Sequence, residues 1–304
     1  MVPQLAACGA GRPAQPQSSA SAPTPAPRTS YAVSKDGVEL AIEEAGPRDA
    51  PAIVFIHGLG FTRDIWRRQL EGPLAQRYHL IAFDHRGHGR STRPTDEAAY
   101  SDGTRWADDL HAVLTATNAK QPILVGWSLG GLVISHYLRV HGDSAIAGAV
   151  FVAAVTKIVP ELLMPNVGEY LVRLGDQRDD VRRAATLDFM RACFATQPPD
   201  DELKAIQLAA GVLSAPTHNG IARMSVEGLE PALRGLSKPS LVIHGVQDAL
   251  VAEAMATYIR SLVPAAQLSL FENSGHTPFM EETARFNVEL ERFAAATGAP
   301  SPQP

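Results

Sequence analysis

The chain has 304 residues, 45% of them hydrophobic and 19% charged, with a formal net charge of −5. That length can bury one large core and a smaller satellite domain, and the acidic balance gives no electrostatic reason to expect nucleic acid as a partner. No apolar run reaches the roughly 18 residues of a membrane-spanning helix. The two cysteines, Cys8 and Cys193, make no disulfide framework.

Residues 1–28 are rich in Pro, Ala, Ser, Gln and Gly and show no hydrophobic period, the composition of a flexible tether outside the fold. From Thr29 to Glu44 the chain alternates on both sides of Lys35-Asp36-Gly37, which reads as a hairpin. Ile53 to Ile56 is a buried strand ending in His57-Gly58-Leu59-Gly60, and Leu80 to Phe83 is another ending in the turn Asp84 to Ser91. Trp66 and Leu70 point to a helix between them, and Thr104 to Thr117 to a second helix after them. Ile123 to Trp127 has the length and branching of a buried strand, and the spacing of three and four in Leu129, Leu132, Val133 and Tyr137 then reads as a helix. Ile146 to Val155 is the next buried strand.

The alternation stops over residues 157–236, where Pro160, Pro165, Pro198-Pro199 and Pro216 punctuate three or four short helices. It resumes with the strand Leu241 to Gly245, a helix from Ala252 to Leu262, the strand Gln267 to Phe271 and a helix from Met280 to Ala295. Strands alternating with helices predict an α/β fold with a mostly parallel central sheet covered on both faces. The core is expected over 29–156 and 237–296, an inserted helical cap over 157–236, and a disordered tail over 297–304.

Ser128 stands at a switch from strand to helix, between Gly126 and Gly130. Glycines two residues either side remove the side chains that would clash in so sharp a turn. The helix that follows aims N–H groups and a partial positive charge at the same point. A serine hydroxyl needs a neighbouring base, and the base needs a third group to fix its tautomer. In a parallel sheet such groups collect at the carboxyl ends of strands. Asp248 follows the strand Leu241 to Gly245, and His276 follows the strand ending at Phe271.

These features resemble the α/β-hydrolase family over residues 29 to 296. The elbow around Ser128, His57-Gly58-Leu59-Gly60, the Asp84 to Ser91 turn and Ser274-Gly275-His276-Thr277-Pro278-Phe279 occur in the family's order. The resemblance implies a carboxylesterase-like serine hydrolase with a helical cap. Ser128 is then the nucleophile, His276 the base and Asp248 its orienting acid. The backbone N–H groups of Leu59 and Leu129 form the oxyanion hole, Gly126 and Gly130 the elbow. The implied substrate is a small or medium carboxylic ester, with no metal and no organic cofactor. Relatives with aspartate at the nucleophile position open epoxides or displace halide, and Ser128 argues against both. Three other readings keep the triad: hydrolysis of a carbon–carbon bond, cofactor-free perhydrolysis, and a low-turnover ligand receptor.

Bland readings compete for several residues. His57 reads as a structural histidine under the oxyanion loop, and Asp84, His85 and His88 as a structured turn without metal-site spacing. His244 reads as packed in its strand, and Cys193 as a buried small hydrophobe. Asp248 has the alternative of capping the helix near Ala252. Met164, Phe189, Met190, Phe194 and Met224 either line a pocket or fasten the cap to the core.

Leu5-Ala6-Ala7-Cys8-Gly9 resembles the lipobox that ends a bacterial lipoprotein signal peptide. It implies a lipidated Cys8 as membrane tether and a periplasmic or cell-surface location. The seven residues before Cys8 include Pro3 and lack the charged start and apolar core of such a signal, so this reading requires a start upstream of Met1. Without one, the tail is cytoplasmic.

Overall fold

A computed structural model describes Met1 and residues 27–297. Cys8, the lipobox-like stretch, most of the proposed tether and the tail after Thr297 lie outside the described residues. The chain opens with antiparallel strands β1 (Arg28–Val33) and β2 (Glu39–Ala45), turned at Gly37 with φ +85°. The apolar runs then become β3 (Ala52–Ile56), β4 (His79–Phe83), β5 (Ile123–Trp127), β6 (Gly148–Val152) and β7 (Ser240–Gly245), each buried at every position. The edge strand β8 (Gln267–Phe271) is only partly covered.

The sheet runs β1-β2-β4-β3-β5-β6-β7-β8, with β3 to β8 parallel and β2 antiparallel to β4. Parallel pairing brings the carboxyl ends of β3, β5, β7 and β8 to one edge, where the predicted chemistry follows each strand. The strands read as continuous apolar runs because both faces are covered. Each fully buried Leu, Ile, Val or Phe contributes about 1.5–3 kcal/mol.

Helix α1 (Gly103–Ala116) begins where the Asp102 side chain accepts the Thr104 N–H at 2.8 Å. It packs against α2 (Leu129–His141), the elbow helix. Between β6 and β7 lie five helices, more than the three or four expected: α3 (Val167–Leu174), α4 (Asp179–Ala192), α5 (Asp200–Ala210), α6 (Ala215–Ala222) and α7 (Leu229–Arg234). Helix α7 packs back on α2 and on α8 (Glu253–Leu262). The chain closes with α9 (Thr283–Ala296), preceded by a separate turn at Pro278–Glu281, so the final helix begins later than Met280.

Two further expectations are corrected. The region of Trp66 and Leu70 is a 3₁₀ turn at Arg63–Trp66 followed by one α-turn at Arg67–Leu70, not a continuous helix. The strand expected over Ile146 to Val155 is confined to Gly148–Val152. Beyond it Ala153 takes φ +41° and the chain veers toward Ser128, whose carbonyl accepts the Val155 N–H at 2.9 Å. Ala153 and Ala154 remain buried, which is why the apolar run outlasts the strand.

Candidate active site

Ser128 has φ 53° and ψ −114°, a backbone conformation that costs on the order of 1–3 kcal/mol for a side-chain-bearing residue. It is held there from three sides. Its N–H donates to the Val152 carbonyl at 3.1 Å, and its own carbonyl accepts from Gly131 and Val155, both at 2.9 Å. The flanking glycines allow the approach: a Cβ at Gly126 would lie 2.6 Å from the Gly130 carbonyl oxygen, and one at Gly130 would lie 2.6 Å from that of Ile56.

Asp248 and His276 meet as the sequence predicts. His276 Nδ1 donates to the Asp248 carboxylate oxygen Oδ2 at 2.7 Å, which leaves Nε2 outside that bond. Asp248 Oδ1 accepts the N–H groups of Leu250 and Val251 at 2.8 and 3.0 Å. These bonds shape its own loop; α8 starts at Glu253 without a side-chain cap, so the helix-capping reading of Asp248 fails. Burial works to raise the Asp248 pKa, but His276, His244 and the Val251 N–H together lower it. Gly245 lets the two loops close up, because a Cβ there would collide with the Ser274 and Gly275 carbonyls.

Around Leu59 the histidines are structural. His57 donates from Nδ1 to the Gly58 carbonyl at 2.8 Å and accepts the His85 N–H on Nε2 at 3.0 Å. His85 donates to the His57 carbonyl at 2.9 Å, and His88 Nε2 accepts the Gly60 N–H at 3.3 Å. Burial lowers the pKa of His57 well below its usual value, that of His85 to about 3 and that of His88 to about 4. Asp84 accepts the N–H groups of Arg63 and Arg90 and pairs with the Arg63 guanidinium, as a turn-former does. Neither the Leu59 nor the Leu129 N–H finds an acceptor among the described residues.

Ser128, Leu59, Leu129 and His276 share a narrow cavity of about 120 Å³. Its remaining walls are apolar and come largely from the insertion and from Leu250 and Val251, with His218 as the exception. Of the five insertion residues singled out in the sequence, Phe189 lines this cavity; Met190, Phe194 and Met224 are buried in the core cluster, and Met164 packs against it. His244 is packed in its strand and bonds the Val251 carbonyl at 3.1 Å. Cys193 is buried; burial and the nearby Asp248 and Glu281 carboxylates raise its thiol pKa well above normal.

Sequence reading missed Glu281 and the backbone of Cys193. The Cys193 carbonyl accepts the His276 N–H at 2.9 Å and lies 3.2 Å from the Thr277 hydroxyl, whose one proton it shares with Glu281. Glu281 Oε1 accepts from Ala195 and Thr196 at 2.8 and 3.0 Å, and its Oε2 from Gly275 and Thr277 at 2.9 and 3.0 Å. The insertion and the histidine loop thus meet on one carboxylate. A glutamate five residues after a histidine carries no pattern that announces this.

Residues 51–283 match the model of a family described as the alpha/beta hydrolase fold. A solved structure of a candidate aryl esterase from Burkholderia cenocepacia is 38% identical, with a TM-score of 0.85 over 89% of this chain and 99% of that one. The esterase RhEst1 from Rhodococcus sp. ECU1013 is 32% identical, with a TM-score of 0.81 over 89% and 99%. A bifunctional esterase/perhydrolase from Acinetobacter calcoaceticus is 28% identical over 86% of this chain and 98% of its own length. With that match spanning most of a sheet whose carboxyl edge carries Ser128, Asp248 and His276, the chain belongs to the α/β-hydrolase family.

Proposed function

We propose that the protein hydrolyses small or medium carboxylic esters through an acyl-enzyme, with Ser128, His276 and Asp248 as its triad. The observation that carries this reading is the 2.7 Å bond from His276 Nδ1 to Asp248, with Ser128 and His276 on one cavity. Ser128 Oγ attacks the ester carbonyl carbon as its proton passes to His276 Nε2. The carbonyl oxygen becomes an oxyanion facing the Leu59 and Leu129 N–H groups; such donors typically contribute about 2.7–4 kcal/mol each. The carbon–oxygen bond to the alcohol breaks, the alcohol leaves with the proton from Nε2, and the acyl group remains on Ser128. Water, deprotonated by His276, then releases the acid and restores the serine. Residues 157–236 act as a cap that supplies the apolar walls around the substrate.

Ser128→Ala should lower ester turnover by roughly 10⁶, the loss a subtilisin-type triad suffers without its nucleophile. An organophosphate should add one group to the wild type, on Ser128. A folded Ser128→Ala variant keeping a tenth of wild-type activity would overturn the assignment. Likeness to a bifunctional esterase/perhydrolase favours one further reaction, in which hydrogen peroxide replaces water at the acyl-enzyme and the product is a peracid. Its test is peracid formation from a short carboxylic acid and peroxide, lost in Ser128→Ala.

A further inference from the structure

Apart from Ser128 and His276, the cavity has one polar side chain in its wall, His218 on α6. Its residue is 2% exposed, and neither ring nitrogen has a hydrogen-bond partner among the described residues. The ring sits close on Gly175, where a Cβ would stand 3.0 Å from Nδ1. A buried imidazole left unpaired destabilises the fold, a cost that an apolar ring in the same space would not incur. Burial lowers its pKa against an interaction with the Asn219 side chain that falls short of hydrogen-bond geometry, and so favours the neutral ring, which offers one N–H donor and one lone pair. Among the described residues no lysine, arginine, aspartate or glutamate lines the cavity to compensate a charged ligand group. The matching group is therefore neutral and polar, and on an ester substrate a hydroxyl or keto oxygen is the simplest such group.

We propose that His218 is a specificity-determining residue that hydrogen-bonds a hydroxyl or keto oxygen on the substrate arm held in this cavity. The preferred substrates are then hydroxy- or oxo-esters rather than plain aliphatic esters of the same length. This rests on the ester-hydrolase reading and deepens it.

The test uses matched esters with and without one hydroxyl or keto group, placed at successive carbons of the acyl chain and, in a second series, of the alcohol. In the wild-type protein at least one substituted ester should exceed its plain counterpart about tenfold in kcat/KM. His218→Phe, which keeps a ring of similar size, should bring that ratio to about one, whereas His218→Gln, with a donor and an acceptor, should retain part of it. A purely structural role would not move the ratio. The inference fails if no position is preferred by the wild type or if the preference survives His218→Phe. Calorimetry of the same acids and alcohols binding to Ser128→Ala, with and without His218→Phe, needs no turnover and decides the point independently. Tighter binding of the oxygenated ligand, weakened by the His218 change, supports the inference; equal binding of both ligands overturns it. Absence of Ser128-dependent hydrolysis with every ester would instead sink the hydrolase reading.

Discussion

The indole N–H of Trp127 donates to the carbonyl oxygen of His276 at 2.7 Å, so the residue preceding the proposed nucleophile holds the backbone of the proposed base. The two loops are linked across 149 positions of sequence by a bond that is fully buried. Trp127→Phe keeps an aromatic ring near Phe61 and Phe279, leaves that carbonyl without its donor and opens a small void where the larger indole was buried. It should cost about 1–3 kcal/mol in stability, measured by urea denaturation. Turnover should fall as well, because the His276 ring loses a fixed seat.

Ser128→Gly should separate strain from function. Relief of the unfavourable backbone is on the order of 1–3 kcal/mol, and the added freedom of glycine in the unfolded chain offsets roughly 0.5–1 kcal/mol of it. The variant should denature at a higher urea concentration than wild type while having no ester turnover. An unchanged or lower midpoint would mean that the elbow is not strained in solution.

The location of Phe189 and Met224 predicts different outcomes for two similar truncations. Phe189→Ala enlarges the cavity and should shift the preferred acyl chain length upward, read from kcat/KM across a series of esters. Met224→Ala removes a core side chain outside the cavity lining. It should cost about 2–5 kcal/mol in stability and leave chain-length preference where it was.

The fold's main outline was legible because strands buried on both faces write themselves as unbroken apolar runs, and each loop bearing chemistry follows such a run directly. That local rule marked Ser128, Asp248 and His276 together with His57, Asp84 and His85, and the order of motifs shared with the family chose among them. Ala153 and Ala154 misled because burial continues where pairing in the strand ends. Helix α7 has six residues, too few to establish a period. His218 and Glu281 were invisible because their surroundings come from distant chain: Glu281 meets Ala195 across 86 positions. Phe189 and Met224 look alike in sequence and both join the core, and only the packing of the insertion shows that Phe189 also faces the cavity.

Acid should weaken the fold well above the range where carboxylates titrate. Burial lowers the pKa of His85 to about 3 and those of His88 and His136 to about 4. Unfolded histidine takes up its proton near pH 6.5 (about that value in model peptides). Between that pH and about 4 the unfolded chain binds more protons, so stability falls as pH falls, by about 1.4 kcal/mol per pH unit for each proton taken up. The lowered pKa of Asp248 acts in the same direction at more acid pH. Asp84 and Asp109, which burial raises, offset part of that later loss. Urea midpoints at pH 7, 6 and 5 should decline steadily, and His136→Gln should reduce the slope by about one proton.

Glu281→Gln should lower turnover about tenfold or more and also destabilise the protein, since hydrogen bonds to charged groups contribute about 1.5–3 kcal/mol each. The amide retains one acceptor oxygen for four donors and turns its own N–H groups toward two of them. Turnover together with the rate of proteolytic cleavage near Ala195 and Thr196 would check this; unchanged values of both would show that the carboxylate is dispensable.

The seat of His276 is completed by the Cys193 carbonyl and, through Glu281, by the Ala195 and Thr196 N–H groups, all from chain inserted between β6 and β7. A trimmed chain with residues 157–236 excised would retain every member of the proposed triad and lose the template on which the base is seated. The sheet is therefore not a self-sufficient minimal enzyme onto which interchangeable covers are set. Grafting an insertion from a relative would have to carry over the contacts equivalent to Cys193, Ala195 and Thr196, or the chimaera would gain a new pocket at the expense of a misaligned histidine.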